Sequence, residues 1–207
     1  MTTFNLLLRA QESYLKTPLL GVVLCGGESK RMGRDKGLMP IGDSCWAKHV
    51  ADKLESLQLP VVVSVNGAQL NTYSKIFARE QLVIDAVSVS GPLNGLLSVH
   101  QQYEHWDLLL MACDMVNMQF NTLFSLIRIY QASTLADFYV YQEESFAEPF
   151  GGIYTGRGLR KVAKLVEDKR LKNYSLRSIL EQGRTKKVPI SSRISFTNYN
   201  SGSNNQE

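Results

Sequence analysis

Two patterns of apolar residues alternate along the first two thirds of the chain. Continuous apolar runs predict strands buried on both faces, and apolar residues spaced three or four positions apart predict amphipathic helices. The predicted strands are residues 19–25, 61–63, 82–84 and 108–111, and the predicted helices are residues 44–59, 91–102 and 123–130. Ser44 is the expected cap of the first of these helices. Strands that alternate with helices indicate an α/β fold, here a three-layer α/β/α sandwich with a mostly parallel, Rossmann-like sheet.

The two ends of the chain follow different patterns. Phe4, Leu7, Leu8 and Leu15 lie at helical spacing, which predicts an N-terminal helical extension over residues 1–18. Beyond residue 137 the predicted strands are 138–141, 150–155 and 194–199, and the predicted helices are 159–166 and 175–180. Residues 201–207 are polar and are expected to form a frayed tail, so that residues 19–200 make up a single domain.

Composition narrows the class of protein. The 207 residues are 44% hydrophobic and 20% charged, as in an ordinary globular protein, and the net charge of +4 favours a small anionic ligand over nucleic acid. Cys25, Cys45 and Cys113 are odd in number and lack CxxC spacing, which is typical of reduced thiols rather than of disulfides or a zinc site. No apolar run approaches the roughly 18 residues of a membrane span, so we expect a cytoplasmic protein without a membrane partner.

A glycine-rich basic loop follows the first predicted strand. Residues 26–37 contain four glycines and four cationic side chains. Glycines allow backbone N–H groups to converge on an anion, and Arg and Lys neutralise phosphate charge, so the loop is a candidate triphosphate site. Neither GxxxxGK[ST] nor GxGxxG is present, which excludes a P-loop and a dinucleotide fingerprint. The alternative is a flexible, solvated basic loop.

The same loop resembles a known family signature. Its matching residues are Leu24-Cys25-Gly26-Gly27, Ser29, Arg31-Met32-Gly33 and Asp35-Lys36. They resemble the LAGGxSxRMGxDK motif of the molybdenum cofactor guanylyltransferases, which belong to the larger nucleotidyltransferase family. Segments 61–66, 91–96, 112–115, 148–154 and 198–200 resemble further family motifs in the same order. The chain departs from the family at Cys25, usually alanine, at Val116, usually proline, and after residue 200, where the last motif is truncated.

The resemblance implies a set of site residues in a nucleotidyltransferase domain over residues 19–200. The implied nucleotide-binding residues are Leu24, Cys25, Gly26, Gly27, Lys36, Asn66, Asp85 and Asp114. Lys36, Arg31 and Asp114 are the implied catalytic residues, with Asp114 holding Mg²⁺. Our hypothesis for the two cations is that the compact Lys36 ammonium binds the α-phosphate and the forked Arg31 guanidinium binds the outer phosphates. Residues 91–95 and 148–154 would face the acceptor. The alternative for both segments is a structural role, as a helix start at residues 91–95 and as an ordinary strand at residues 148–154.

The residues themselves leave alternatives open for three of these positions. Asp114 follows a buried strand, where it either holds a metal or caps the next segment. Asn66 either contacts a base edge or holds a turn with Gly67, and Ser64 is a weaker candidate for the base contact. Asp85 ends the third strand, and its contact with the ribose or base is implied only by the resemblance.

The resemblance also implies a reaction, in which GMP passes from GTP to molybdenum-molybdopterin, with Mg²⁺ as cofactor. Molybdoenzymes or their chaperones would then be partner proteins. Gly26-Gly27 favours guanine, since cytidylyl relatives tend to carry two alanines before one glycine. The alternatives are transfer from CTP or to a sugar phosphate, and a nucleotide-binding adaptor without turnover.

Overall fold

A seven-stranded sheet forms the centre of the computed structural model, which describes residues 4–8, 18–26, 35–133, 135–144 and 146–197. Its strands are β1 (Leu19–Leu24), β4 (Val61–Val65), β5 (Leu82–Ile84), β6 (Asp107–Ala112), β7 (Phe138–Glu143), β8 (Phe146–Tyr154) and β9 (Thr185–Pro189), in the order β5-β4-β1-β6-β8-β7-β9. The strands β5, β4, β1 and β6 are parallel, β8 is antiparallel to both of its neighbours, and β9 is parallel to β7. A separate hairpin joins β2 (Pro40–Ile41) to β3 (Ser44–Cys45).

Helices cover both faces of this sheet. They are α1 (Trp46–Glu55), α2 (Leu70–Tyr73), α3 (Pro92–Gln102), α4 (Phe120–Ala132), α5 (Gly156–Glu167) and α6 (Leu176–Gln182). Side chains of α1 and α4 pack on one face together with Leu19 and Val23, while α3, α5 and α6 pack on the other face with Leu20 and Val22. Successive β1 residues thus enter opposite cores, as alternation along a strand requires. The predicted three-layer sandwich is confirmed, and its central strands are apolar because both of their faces are buried.

Two sequence-based expectations about secondary structure are wrong. Ser44 lies in β3, and α1 begins after Cys45 without a side-chain cap. Where a strand was expected at residues 194–199, the structure has a 3-10 helix over Arg193–Phe196, and residues 198 and 199 lie outside the described residues. The buried Ser195 hydroxyl contacts Thr122 Oγ1 at 2.9 Å and holds this segment against α4. The strand that completes the sheet is β9, whose edge position leaves its lysines exposed, so no apolar run signalled it.

The N-terminal segment is described only in part. Residues 4–8 are helical, and Phe4 is buried in the same core as α3 and α5. The rest of the expected extension and the tail at residues 201–207 lie outside the described residues. Within the described part of the chain, no helix has the length and apolar character needed to cross a bilayer.

The buried carboxylate of Asp137 binds three cationic side chains at the edge of the sheet where β7 and β9 begin. Asp137 is 2% exposed and receives hydrogen bonds from Lys161 Nζ at 2.7 and 2.9 Å and from Arg157 Nε at 3.1 Å. Arg184 forms an ion pair with it at 3.5 Å. Burial by itself would raise the pKa of Asp137, but the hydrogen bonds and charges of these cations outweigh burial and lower the pKa to about 2, from an ordinary 3.8. Asp137 therefore stabilises the fold in its ionised form.

We expect Asp137→Asn to lower the free energy of unfolding by about 1–2 kcal/mol at pH 7, a value discounted because the cations are partly solvated. Because the pKa of Asp137 in the folded protein is below its ordinary value, the ionised carboxylate stabilises the fold above about pH 4. This stabilisation is lost as the pH falls from about 4 to 2. Urea unfolding of both proteins across this range should therefore show the difference shrinking. Asp43→Asn, in the exposed β2–β3 turn, is the control with little expected change. A difference that does not vary with pH would contradict the assignment.

Candidate active site

Four polar or thiol-bearing residues follow the ends of four neighbouring parallel strands. Cys25 follows β1, Asn66 follows β4, Asp85 follows β5, and Asp114 lies two residues beyond β6. Because the strands are parallel, their carboxyl ends share one edge of the sheet, which is where ligands bind in open α/β folds. The predicted site residues that the structure describes are thereby gathered at this edge.

Lys36 and Asp114 meet there although 78 positions separate them in the sequence. Lys36 Nζ lies 3.3 Å from Asp114 Oδ2, and the two side chains are 26% and 17% exposed. An ammonium group has three N–H donors, so the bond to Asp114 occupies only one of them. A cation and a carboxylate that are both partly open to solvent form a suitable contact point for a phosphorylated ligand and its metal ion.

The Asp85 side chain is closely flanked by two glycines, Gly26 and Gly95. Its Oδ1 accepts a hydrogen bond from Ser64 Oγ at 2.6 Å. A Cβ atom built on Gly26 would lie 2.0 Å from Asp85 Oδ2, and one built on Gly95 would lie 2.3 Å from Ser64 Oγ. Burial raises the pKa of Asp85, and the Ser64 hydrogen bond opposes this increase. The carboxylate is therefore held in one orientation, beside the start of the glycine-rich loop.

Asp35 anchors the far end of that loop. Its side chain caps the 3-10 helix Lys36–Leu38 by accepting from Gly37 N at 2.9 Å, and it also accepts from Tyr73 Oη at 3.0 Å. Gln69 Nε2 donates to the other carboxylate oxygen at 2.6 Å. A carboxylate with three donors fixes the backbone from which Lys36 projects.

Asn66 holds the turn that leads into α2. Its Oδ1 accepts from Gln69 N at 3.1 Å, and its backbone N–H donates to Gln69 Oε1 at 2.9 Å, an exchange typical of a capping box. Gln69 was missed by sequence reasoning, although the Asn-x-x-Gln spacing was a signal for this exchange. A contact between Asn66 and a nucleotide base stays a prediction.

The remaining predicted binding residues differ in what they offer a ligand. The buried Cys25 thiol has a pKa well above its usual range, because of burial and because of Cys113 beside it, so it stays protonated and packs as a small residue. The Cys25 carbonyl instead accepts from Gln69 Nε2 at 3.0 Å. Leu24 is 9% exposed and packs beside Gly95. Gly27 and Arg31 lie outside the described residues.

Asp114 is suited to a magnesium ion that takes its other ligands from a bound phosphate and water, and less to one held only by protein side chains. In the described part of the chain, no three His, Cys, Asp or Glu side chains are grouped to hold a metal ion. Magnesium commonly takes one or two carboxylates and completes its shell with phosphate oxygens and water. The accessible Asp114 carboxylate at the strand ends therefore suits an ion that arrives with a phosphorylated ligand.

The two segments expected to face an acceptor lie at the same edge, but only in part. Gly91, with φ +74°, precedes α3, and Asn94 Oδ1 accepts from Val87 N at 3.1 Å, which ties the loop after Asp85 to this helix. Because β8 is antiparallel, Glu148 lies at the carboxyl edge of its neighbours, and its side chain is 25% exposed. Residues 151–154 are buried, so the expectation that they contact an acceptor is wrong for this part of the strand.

Comparisons with known proteins place this arrangement among nucleotidyltransferases. The family model described as MobA-like NTP transferase domain matches residues 21–188. A molybdenum cofactor biosynthesis bifunctional protein of Synechocystis sp. is 28% identical over 149 residues, which are 72% of this chain but 42% of that protein. The chain thus spans less than half the length of this relative. A probable molybdenum cofactor guanylyltransferase of Flavobacterium johnsoniae is 27% identical over 156 residues, covering 74% of this chain and 77% of the relative.

A solved structure has the same fold. It is the molybdopterin-guanine dinucleotide biosynthesis protein A of Archaeoglobus fulgidus, with a TM-score of 0.72 and 17% identity. The likeness covers 87% of this chain and 92% of the other. At this identity the likeness shows the architecture of the sheet and its helices and does not extend to a substrate.

Proposed function

The chain belongs to the MobA-like NTP transferase domain family, and from this we propose that it transfers GMP from GTP to the phosphate of molybdenum-molybdopterin. The products of this reaction are molybdopterin guanine dinucleotide and pyrophosphate. The name of the Flavobacterium relative supports guanylyl transfer to a molybdenum cofactor. The name of the Synechocystis relative supports only the link to the molybdenum cofactor. The observation that carries the proposal is the Lys36–Asp114 pair, which joins a cation and a carboxylate at the carboxyl ends of the strands.

The proposed reaction is a direct in-line transfer. An oxygen of the acceptor phosphate forms a new bond to the α-phosphorus of GTP. The bond from that phosphorus to the bridging oxygen breaks, and pyrophosphate leaves with the electron pair. Such transfers depend on positioning and charge neutralisation and need no covalent intermediate. The buried Cys25 and Cys113 thiols beside the site accordingly have no nucleophilic role in this proposal.

In the proposed reaction, Lys36 and Asp114 have different electrostatic roles. The Lys36 ammonium would turn from Asp114 toward the α-phosphate, where negative charge builds as the new bond forms. Asp114 would hold Mg²⁺, which when bound neutralises phosphate charge and orients the leaving group. Their 3.3 Å contact supports this division, because a nucleotide at one of these side chains is also within reach of the other.

The nucleoside would lie on the other half of the strand edge. Asp85, oriented by Ser64, would accept hydrogen bonds from the ribose or the guanine. Gly26 brings the backbone of the glycine-rich loop into contact with that carboxylate. Leu24 and Gly26 would lie beneath the guanosine, and the segment from Gly91 to Gly95 would face the acceptor.

We expect Gly26→Ala to weaken GTP binding by about tenfold or more, which corresponds to about 1.4 kcal/mol or more. The new methyl group would overlap Asp85 Oδ2, so the carboxylate must leave its hydrogen bond with Ser64. Isothermal titration of both proteins with GTP measures the change. Gly67→Ala is the matched control, since a Cβ built on Gly67 has no heavy atom within 4 Å. Equal affinities in the Gly26 and Gly67 variants would contradict the placement of Asp85 in the nucleoside site.

The proposed function is tested by pyrophosphate release from each of the four nucleoside triphosphates, with Mg²⁺ and with molybdenum-molybdopterin as acceptor. We expect turnover with GTP and a dinucleotide product identified by mass spectrometry. Release with CTP in preference to GTP would replace the proposed donor, and release only with a sugar phosphate would replace the acceptor. Nucleotide binding without release under any of these conditions would indicate an adaptor instead of an enzyme. Thermal shifts with and without Mg²⁺ report binding independently of turnover.

A further inference from the structure

One side chain bridges the two ends of the glycine-rich loop. Gln69 Nε2 donates to the carbonyl oxygen of Cys25 at 3.0 Å and to Asp35 Oδ2 at 2.6 Å. Cys25 is the last residue before the loop, and Asp35 is the residue directly before Lys36. The amide group therefore fixes the distance between the residue where the loop begins and the residue where it ends.

The orientation of this amide is determined by its surroundings. Gln69 Oε1 accepts from the backbone N–H of Asn66 at 2.9 Å, while both partners of Nε2 are oxygen acceptors. A reversed amide would direct its oxygen at a carbonyl and a carboxylate and would be repelled by both. Asn66 Oδ1 in turn accepts from Gln69 N, so the side chain is held from its backbone to its tip.

The chain of contacts continues to the proposed reaction centre. Asp35 caps the 3-10 helix whose first residue is Lys36, and Lys36 contacts Asp114. Moving Asp35 would therefore move the backbone that carries the ammonium group. Misplacement of a group that acts on the transition state by about 1 Å costs on the order of a hundredfold in rate.

We propose that Gln69 is a positioning residue for nucleotidyl transfer: it ties Cys25 to Asp35 and thereby holds Lys36 where the triphosphate is to bind. Asn66 acts through Gln69 by fixing its amide, so this role of Asn66 does not depend on a contact with the nucleotide. This inference rests on the proposed function, because the effect on turnover presupposes that Lys36 serves the transfer.

The test compares Gln69 with a second glutamine in the same kind of environment. Gln81 Nε2 also donates to a backbone carbonyl, that of Val61 at 3.3 Å, and to a carboxylate, that of Glu55 at 3.4 Å. Its Oε1 accepts from Ala78 N, three residues earlier, as Gln69 Oε1 does from Asn66 N. Among the described residues, no hydrogen bond joins Gln81 to Cys25, Asp35 or Lys36; its partners are Glu55, Val61 and Ala78. Methionine keeps the length of either side chain and removes its hydrogen bonds.

We expect Gln69→Met to lower kcat/KM for GTP by about 10- to 100-fold and Gln81→Met to change it less than twofold. Thermal unfolding of each variant checks that both fold. The rate of trypsin cleavage after Lys30, Arg31 or Arg34 is a second readout that does not involve turnover. Cleavage should be several-fold faster in Gln69→Met than in the native protein and unchanged in Gln81→Met.

Gln69→Glu adds a readout that a purely structural role would not change. A carboxylate at this position faces the Asp35 carboxylate, so a proton shared between them is required to restore one hydrogen bond. The activity of Gln69→Glu relative to the native protein should therefore rise from pH 8 to pH 6. The relative activity of Gln69→Met, which lacks an ionisable group, should not change with pH.

The outcomes separate this inference from the proposed function. Native turnover with equal kcat/KM in the Gln69→Met and Gln81→Met variants overturns the positioning role, whatever the cleavage rates. If the native protein releases no pyrophosphate from any nucleotide, the proposed function fails. The rate of trypsin cleavage then tests by itself whether Gln69 bridges Cys25 and Asp35. Faster cleavage in Gln69→Met then supports a bridge between Cys25 and Asp35, and unchanged cleavage overturns it.

Discussion

Lys36→Met is expected to lower kcat for pyrophosphate release by about a thousandfold, with GTP affinity reduced by less than about tenfold. Methionine keeps most of the aliphatic side chain and removes the charge. If the ammonium group neutralises charge that develops only during transfer, its loss affects the transition state far more than the bound ground state. Single-turnover kinetics and isothermal titration with GTP measure the two effects separately.

The surface of α1 provides the control for this substitution. Lys48 forms an ion pair with Asp52 on an exposed turn of the helix, so Lys48→Met also breaks a lysine–carboxylate pair but lies outside the strand edge. Its kcat and GTP affinity should match those of the native protein. Equal losses of binding and turnover in Lys36→Met would show that Lys36 binds triphosphate without preferring the transition state.

Asp114→Asn is expected to lower turnover by at least about a thousandfold and to remove the effect of Mg²⁺ on GTP binding. Asparagine keeps the size of the side chain and one oxygen but loses the negative charge that a hard divalent cation prefers. In the native protein, Mg²⁺ should increase the thermal shift produced by GTP. In the variant, the GTP shift should be the same with and without the metal ion.

Asp52→Asn is the matched control, because it removes the carboxylate of the surface pair in the same way. It should keep both turnover and the Mg²⁺-dependent shift. A Mg²⁺-dependent shift that persists in Asp114→Asn would mean that another group holds the ion, and Asp85 would be the next carboxylate to replace. Loss of turnover with an unchanged shift would restrict Asp114 to orienting Lys36.

The sheet and its inner strands could be predicted from sequence because burial on both faces leaves a continuous apolar run. The strands β1, β4, β5 and β6 all carry that signal, and their burial in the structure accounts for it. The edge strand β9 could not be recognised, since Lys186 and Lys187 are exposed and the strand contains no continuous apolar run. The segment at residues 194–197 was misassigned because Ile194, apolar but 61% exposed, fits the pattern of a strand without being part of one.

The candidate site could likewise be predicted only in part. The order of the motifs predicted the candidate residues, and the position of Asp114 after an apolar strand was enough to predict that it lies at the carboxyl edge of the sheet. By contrast, the sequence could not show that Gln69 contacts both Cys25 and Asp35, because those contacts span 44 and 34 positions and involve residues of common types. Nor could it choose between a turn and a base contact for Asn66.

The sequence by itself determined the fold class and the edge of the sheet at which the candidate site lies, because local patterns of apolar residues reflect burial and the alternation of strands with helices. Only the tertiary structure decided that Lys36 meets Asp114, that Asp85 lies between Gly26 and Gly95, and that Gln69 joins the loop ends. These contacts depend on distances of about 3 Å between side chains brought together by separate strands and loops. Such distances are set by the packing of the whole sheet and its helices, which no local pattern records.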